Sequence, residues 1–363
     1  MPLRRGEIIQ GYRILEDFRV AGGMSKISFA ELGGKEYFIK EFLYPKYPTA
    51  DSPGSEKIKS QKRKACDTFE NHHRKLNQLI ATKVSLGGNL VYAISFFRDG
   101  ASYYKVNEKI DTSSLEPKII ATLPKDKIIT IARSVCHSVA ILHDLNIVHG
   151  DLKPDNILIK ETSRNNYSGK LIDFDDSYFS ENPPSDRKCI VGTPEYYSPE
   201  LAAYILDEDD ETEGSSLTLA SDVFTLGIIF AEYFTGEKPI TGTTLPTWNA
   251  IEKGNPISFA KSIDPQIEEL LKSMLSLNPN DRPSVKKIQL KLKDIKEGKT
   301  STSVPMSVET RAPRVGLRGR GLGVGTSTPS STPIPKTPPK PKPEPEKPVK
   351  VGLRGSGLKI ADK

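Results

Sequence analysis

The chain has 363 residues, 36% of them hydrophobic, and a formal net charge of +6, a length that suits two lobes and a tail better than one small domain. The charge is uneven: 13 Lys/Arg and 4 Asp/Glu fall from Lys299 onward, leaving 39 and 42 for the rest, so the positive excess belongs to the tail and the remainder is near neutral. Three cysteines (Cys66, Cys136, Cys189) form no C-x-x-C pair, which argues against a disulfide framework or a zinc site and fits a reducing, cytoplasmic compartment.

The N-terminus, Met-Pro-Leu-Arg-Arg-Gly-Glu, carries no apolar core of a signal peptide. Short β-type runs follow at Tyr12 to Phe18, Ser25 to Glu31, Glu36 to Phe42, Leu90 to Phe97 and Ser102 to Asn107, with Gly33-Gly34 as a hairpin turn. Between the third and fourth runs, Cys66 to Ala81 is helical in period, with Phe69, Leu76, Leu79 and Ile80 facing a core. The Pro- and Lys-rich stretch at 45–64 reads as a mobile insertion. From residue 124 the pattern turns helical. Asp126 to His143 has an apolar stripe at Ile128, Ile131, Val135, Val139 and Leu142, and further helices are expected at Ala220 to Thr235, Asp264 to Leu277 and Val285 to Ile295. The longest apolar run, Leu226 to Phe234, carries Glu232 and reads as a buried helix, so no membrane partner is expected. Asp207 to Glu213 is an acidic, solvated loop.

The expected fold class is α+β: a small β-rich lobe over 1–109, a larger mainly helical lobe over 110–297, and a disordered basic tail over 298–363. Prolines in the tail favour extended polyproline II and forbid helix. Val315 to Leu322, VGLRGRGL, recurs as VGLRGSGL at Val351 to Leu358, which suggests a pair of short docking motifs on a semi-rigid spacer. The basic tail reads as a solvated arm, and nucleic acid is not expected as a partner.

The chemistry concentrates in Ile147-Val-His-Gly-Asp-Leu-Lys-Pro-Asp-Asn-Ile-Leu-Ile159 and in Lys170-Leu-Ile-Asp-Phe-Asp-Asp176. Phosphoryl transfer from a nucleoside triphosphate needs a divalent cation held by oxygen ligands, a carboxylate near the attacking hydroxyl and an ammonium near the moving phosphate. Asp151, Lys153 and Asn156 on one turn, with Asp173 after a following strand, supply that set. These segments resemble the eukaryotic-like serine/threonine protein kinase family, including its bacterial members. His149, Asp151, Lys153 and Asn156 match the catalytic-loop pattern H-R-D-x-K-x-x-N. The resemblance implies a bilobal kinase fold, ATP with Mg²⁺ (Mn²⁺ as an alternative), and protein substrates. It implies Asp151 as catalytic base, Lys153 on the γ-phosphate, and Asn156 and Asp173 as metal ligands, with Lys153 favouring Ser/Thr over Tyr.

Downstream, Gly192-Thr-Pro-Glu-Tyr-Tyr-Ser-Pro-Glu200 resembles the end of an activation segment, with Thr193 bridging Asp151 and Lys153. Asp222 falls where the family's helix holds the catalytic-loop backbone, and Arg282 where an arginine pairs with Glu200. Upstream, Tyr37-Phe-Ile-Lys40 matches the strand of the phosphate-contacting lysine. Val20, Ala21, Gly22, Gly23 and Ile27 fall at the glycine-rich loop. Glu108 and Ile110 sit at the adenine hinge, and Leu158 would floor the site. Glu70 is the nearest helix carboxylate for pairing with Lys40, although His72 fits better the spacing to Leu76 and Leu79.

Several residues depart from the family pattern. Gly150 replaces the arginine before the base, so activity is expected without activation-loop phosphorylation. Asp175 stands where the family has glycine. Val20 replaces a loop glycine, and Phe38 a small residue against adenine. Two other readings stay open: a pseudokinase scaffold whose tail recruits partners, and a small-molecule phosphotransferase of the aminoglycoside and choline kinase type, which lacks the Thr-Pro-Glu to Ser-Pro-Glu and Asp-Arg-Pro segments present here. Thr328, Thr332 and Thr337 each precede proline and could be autophosphorylated for a phosphothreonine-binding partner.

Overall fold

A computed structural model of the chain describes residues 3–21, 25–84, 89–111, 113–162, 166–184, 187, 190, 192–206 and 214–299. Gly22 and Gly23 of the expected glycine-rich loop, the acidic run, Cys189 and the tail from residue 300 lie outside these residues.

The N-terminal part is an antiparallel sheet. Its strands are β1 (Ile8–Ile9), β2 (Tyr12–Ile14), β3 (Arg19–Ala21), β4 (Ser25–Leu32), β5 (Lys35–Phe42), β6 (Ala93–Asp99) and β7 (Ser102–Glu108). The order is β1-β2-β4-β5-β7-β6, with β3 also paired to β4. Gly33 and Gly34 both have positive φ (63° and 76°), the backbone that a two-residue hairpin needs to match strand twist. The turn sets the β4–β5 register, with Leu32 opposite Lys35 and Ile27 opposite Lys40. Helix α1 (Glu56–Val84) packs one stripe on this sheet: Cys66, His73, Leu76 and Ile80 are buried at alternating three- and four-residue steps, with Phe69 partly buried between. Phe42, Phe69, Phe96 and Tyr103 form an aromatic cluster around His73, whose ring stacks on Phe96 at 5.1 Å.

The C-terminal part follows as α2 (Pro117–Ile120), α3 (Lys125–His143), β8 (Ile147–Val148), β9 (Ile157–Thr162), β10 (Asn166–Leu171), β11 (Tyr178–Phe179), α4 (Pro199–Leu206), α5 (Ala220–Thr235), α6 (Thr247–Glu252), α7 (Pro265–Met274) and α8 (Val285–Lys296). All five expected stripe positions of α3 are buried. Helix α5 is buried on nearly every side, so it is the axis of this part. A parallel bridge from Leu90 to Leu171 ties the approach to β6 to the end of β10, through Val91 N–H to the Leu171 carbonyl at 2.9 Å. The α+β class and its split into a β-rich and a helical part are as expected. No helix among the described residues is long and apolar enough to cross a membrane.

The main correction falls on the stretch at 45–64. Helix α1 starts at Glu56, ten residues before the expected helix, so nine residues of the supposed insertion are helical. Glu56 to Lys64 are mostly good helix formers facing solvent, and Ile58 is 45% exposed, so the helix forms there without an apolar stripe. The first β run ends at Ile14 rather than Phe18, and β1 and β3 are additional short strands.

Burial pushes the His73 imidazole well below its ordinary pKa, reinforced by His72 and by the ammoniums of Lys105 and Lys40. It is therefore neutral when folded, while the unfolded chain takes up a proton below about pH 6.5. The unfolded state then binds more protons, so stability falls as pH falls. From pH 6.5 to 5, stability should drop by about 1 kcal/mol per pH unit from this group. Urea denaturation across that range should show the slope, and His73→Leu should lower it by that amount, leaving the contribution of His72, whose pKa burial also lowers.

Candidate active site

β8 feeds the segment His149–Lys153, and the turn Pro154–Asn156 leads into β9. A buried carboxylate fixes this segment. Asp222, in the first turn of α5 and 3% exposed, accepts the backbone N–H of His149 at 2.8 Å and of Gly150 at 3.4 Å. It also lies 3.0 Å from His143 Nε2. Hydrogen bonds to an ionised acceptor are the strong class. His149 is buried, with Nε2 3.2 Å from the Ile172 carbonyl and its ring 5.3 Å from that of Phe174. Gly150 has φ +81°, and a Cβ there would lie 2.3 Å from the Asp176 carbonyl oxygen. The position that carries arginine in the family pattern is thus closed to any side chain in this backbone.

Asp151 is the hub of the segment. One oxygen, Oδ2, accepts from Lys153 Nζ at 2.7 Å and from Asn156 Nδ2 at 3.0 Å. The other, Oδ1, accepts from Thr193 Oγ1 at 2.9 Å, and Thr193 Oγ1 in turn accepts from Lys153 Nζ at 2.8 Å. Thr193 therefore bridges Asp151 and Lys153. Asn156 Nδ2 also donates to the Asp151 carbonyl at 2.7 Å, which turns the amide oxygen to the opposite side. Glu200 and Arg282 form a buried bidentate pair at 2.6 and 2.9 Å, and Arg282 also donates to the carbonyls of Ser276, Ala220 and Leu277. That pair anchors α4 beneath the Pro194–Tyr196 turn.

Asp173 follows β10 in left-handed backbone (φ 59°). Its carboxylate accepts from Lys40 Nζ at 3.0 and 3.1 Å, and it is 38% exposed. The backbone N–H of Ile172 bonds the Asn156 carbonyl at 3.1 Å, so Asp173 is linked by its neighbour to the Asp151 segment. Lys40 thus meets Asp173, and the backbone link at Ile172 ties that pair to the turn where Asn156 bonds Asp151. Leu158 is buried in β9, and half-buried Ile27 lies opposite Lys40. Val20, 67% exposed, and Ala21 sit on β3, opposite Lys26 and Ser25. Glu108 ends β7 in an ion pair with Lys35 at 2.9 Å, and half-buried Ile110 follows it.

Glu70 is not brought to Lys40. It pairs with Arg74 one turn along α1 at 2.7 Å and is half-buried there. His72 meets the Ser177 carbonyl at 2.8 Å instead. Lys40 finds its second carboxylate in Asp175, at 2.5 Å, and Asp175 also bonds Lys105 of β7. Burial alone would lower the Lys40 pKa, but the charges of Asp175 and Asp173 outweigh it and hold it above the ordinary lysine range. Burial would likewise raise Asp175, yet Lys105 and Lys40 hold it below the ordinary carboxylate range. Lys105 and His73 are the residues that sequence reading passed over. The signal for Lys105 is a lysine flanked by Tyr103, Tyr104 and Val106, the buried centre of its strand.

The donor set suits a hard divalent cation. A carboxylate at Asp173 and an amide oxygen at Asn156 are oxygen ligands of the kind Mg²⁺ takes alongside phosphates. Among the described residues no cluster of three or more His, Cys, Asp or Glu could hold a metal by itself.

Residues 56–291 match the family model for the protein kinase domain. The chain is 29% identical over 180 residues to the serine/threonine-protein kinase PknA of Corynebacterium glutamicum, covering 49% of this chain and 35% of that protein. It is 30% identical over 162 residues to the serine/threonine-protein kinase drp72 of Corynebacterium efficiens, covering 44% and 28%. It is 28% identical over 214 residues to mitogen-activated protein kinase kinase 2 of Arabidopsis thaliana, covering 55% and 54%. The chain thus spans about a third of the length of the two bacterial relatives.

Gly150→Ala should destabilise the fold by at least about 2 kcal/mol, from the left-handed backbone and the collision with Asp176. A urea midpoint matching wild type would contradict this.

Proposed function

Because this chain belongs to the protein kinase domain family, we propose that it is a serine/threonine protein kinase that transfers the γ-phosphoryl group of ATP to protein hydroxyls. The observation that carries this reading is the Asp151 carboxylate, held by Lys153, Asn156 and Thr193 within 3.0 Å, with the Lys40–Asp173 pair tied to the same turn through the Ile172 N–H to Asn156 carbonyl bond. Asp151 accepts the proton of the attacking Ser or Thr hydroxyl as its oxygen bonds to the γ-phosphorus. The bond from that phosphorus to the β–γ bridging oxygen breaks, and ADP leaves. Lys153, 2.7 Å from Asp151, offsets charge on the transferred group, and Thr193 keeps base and ammonium together. Lys40 would hold the nucleotide phosphates. Asn156 and Asp173 would hold Mg²⁺, with Mn²⁺ as the alternative, which neutralises the triphosphate.

Adenine would lie against Leu158 and Ile27, with the backbone of Glu108 and Ile110 as hinge and Val20, Ala21, Gly22 and Gly23 over the phosphates. The kinase lobes are residues 1–109 and 110–297. Residues 298–363 form a tail whose Thr328, Thr332 and Thr337 take phosphate and whose VGLRGxGL repeats dock a partner. Two free buried cysteines, Cys66 and Cys136, support a reducing cytoplasmic setting. Gly150 supports activity that does not wait for activation-loop phosphorylation, since there is no arginine beside the base whose charge must be balanced.

With [γ-³²P]ATP, Mg²⁺ and a generic Ser/Thr protein substrate, Asp151→Asn should lower incorporation by about 10²–10⁴-fold. Equal incorporation by wild type and variant would remove the enzymatic reading, and transfer to free choline or aminoglycosides in place of protein would redirect it.

A further inference from the structure

β5 and β7 place Lys40 directly opposite Lys105. Directly opposed residues of an antiparallel pair share one face, and like charges there repel. Both side chains are nearly buried, at 12% and 7% exposure, so solvent screens little of that repulsion. Helix α1 offers no remedy. The residue it turns inward is neutral His73, and Glu70 is engaged with Arg74. The countercharge comes instead from the segment after β10. Asp175 reaches Lys40 with Oδ2 at 2.5 Å and Lys105 with Oδ1, and is itself only 12% exposed. Asp173 touches the same two ammoniums more loosely, at 3.0–3.1 Å and 3.4 Å, and is 38% exposed.

We propose that Asp175, with Lys105 as its countercharge, is the positioning carboxylate for Lys40, a role that helix α1 does not fill in this chain. The inference rests on the kinase reading above. Two ammoniums and two carboxylates sum to zero. With Asp173 given to a metal, Lys40, Lys105 and Asp175 would keep one net positive charge available to the nucleotide phosphates. A lysine with a single glutamate would keep none. Lys40 is also held from the segment that carries Asp173, so a displacement of α1 does not break its ion pair.

The test compares full-length wild type, Asp175→Asn, Lys105→Met, Asp175→Gly and the double variant His73→Glu/Asp175→Gly. It reads kcat and KM for ATP, and the affinity for ADP in EDTA. Asp175→Asn keeps the shape of the side chain and removes its charge. It should lower kcat at least tenfold while ADP binds in EDTA as tightly as to wild type or more so. Structural damage would weaken both together. Lys105→Met should weaken ADP binding in EDTA at least fivefold. The double variant moves the carboxylate to α1 and should recover at least a tenfold share of the kcat that Asp175→Gly loses. A wild-type kcat in Asp175→Asn, ADP binding that falls in step with kcat, or a double variant no better than Asp175→Gly would each overturn the proposal. Should Asp175→Asn fail to fold, Asp175→Asn/Lys105→Met, which removes both charges, is read for the same tenfold fall in kcat. A wild type that transfers no phosphate would sink the kinase reading alone, since the predicted order of ADP affinities does not depend on transfer.

Discussion

Asp222 is the point from which the cleft is built. Its carboxylate is buried at the start of α5, the helix enclosed on nearly every side, and it accepts two successive backbone amides of the loop that carries Asp151. A carboxylate this buried survives only with strong donors around it, and the loop provides them only in one conformation. Gly150 permits that conformation, because its positive φ lets the backbone pass within touching distance of Asp176. The geometry of Asp151, Lys153, Asn156 and Thr193 is therefore inherited from the core rather than from the surface loops.

The N-terminal half of the cleft is balanced electrostatically rather than by packing. Bringing an ion into a protein interior costs several kcal/mol even after relaxation, and the cost is offset only when partners and geometry are good. Lys40 and Lys105 meet that condition through Asp173 and Asp175, which arrive from the other half of the molecule. The interaction therefore joins the sheet to the segment after β10 as well as positioning Lys40. The Leu90 to Leu171 bridge performs the same joining with backbone groups. His73 completes the picture from α1 as a neutral ring among Phe42, Phe69 and Phe96, adding shape and no charge.

Much of this was legible beforehand because its signals are local. The α3 stripe, the Gly33-Gly34 hairpin and the spacing of Asp151, Lys153 and Asn156 each lie within a short window. Thr193, Asp222 and Arg282 were placed through family resemblance, and their contacts take the form that resemblance implies. The failures share a different cause. The first turns of α1 have no buried face, so periodicity cannot see them, and β1 and β3 are too short to alternate. In the sequence Glu70 is the nearest helix carboxylate to serve as the partner of Lys40. Yet Phe69 and His73 take the inward positions and leave it half-buried beside them, paired with Arg74. Lys105 and Asp175 acquire meaning only when strand register and the segment after β10 are known together, and neither is written in a local pattern.

Two departures from the family pattern, Gly150 and Asp175, then belong to one logic. An arginine before the base would tie the loop to the state of the activation segment, and a glutamate on α1 would tie Lys40 to the position of that helix. In this chain the first residue has no side chain and the second tie runs to Asp175, two residues from Asp173. The contacts seen here run instead between the sheet and the segment after β10. On the kinase reading proposed above, a site arranged in this way would be assembled by folding itself rather than by reassembly of its charged groups.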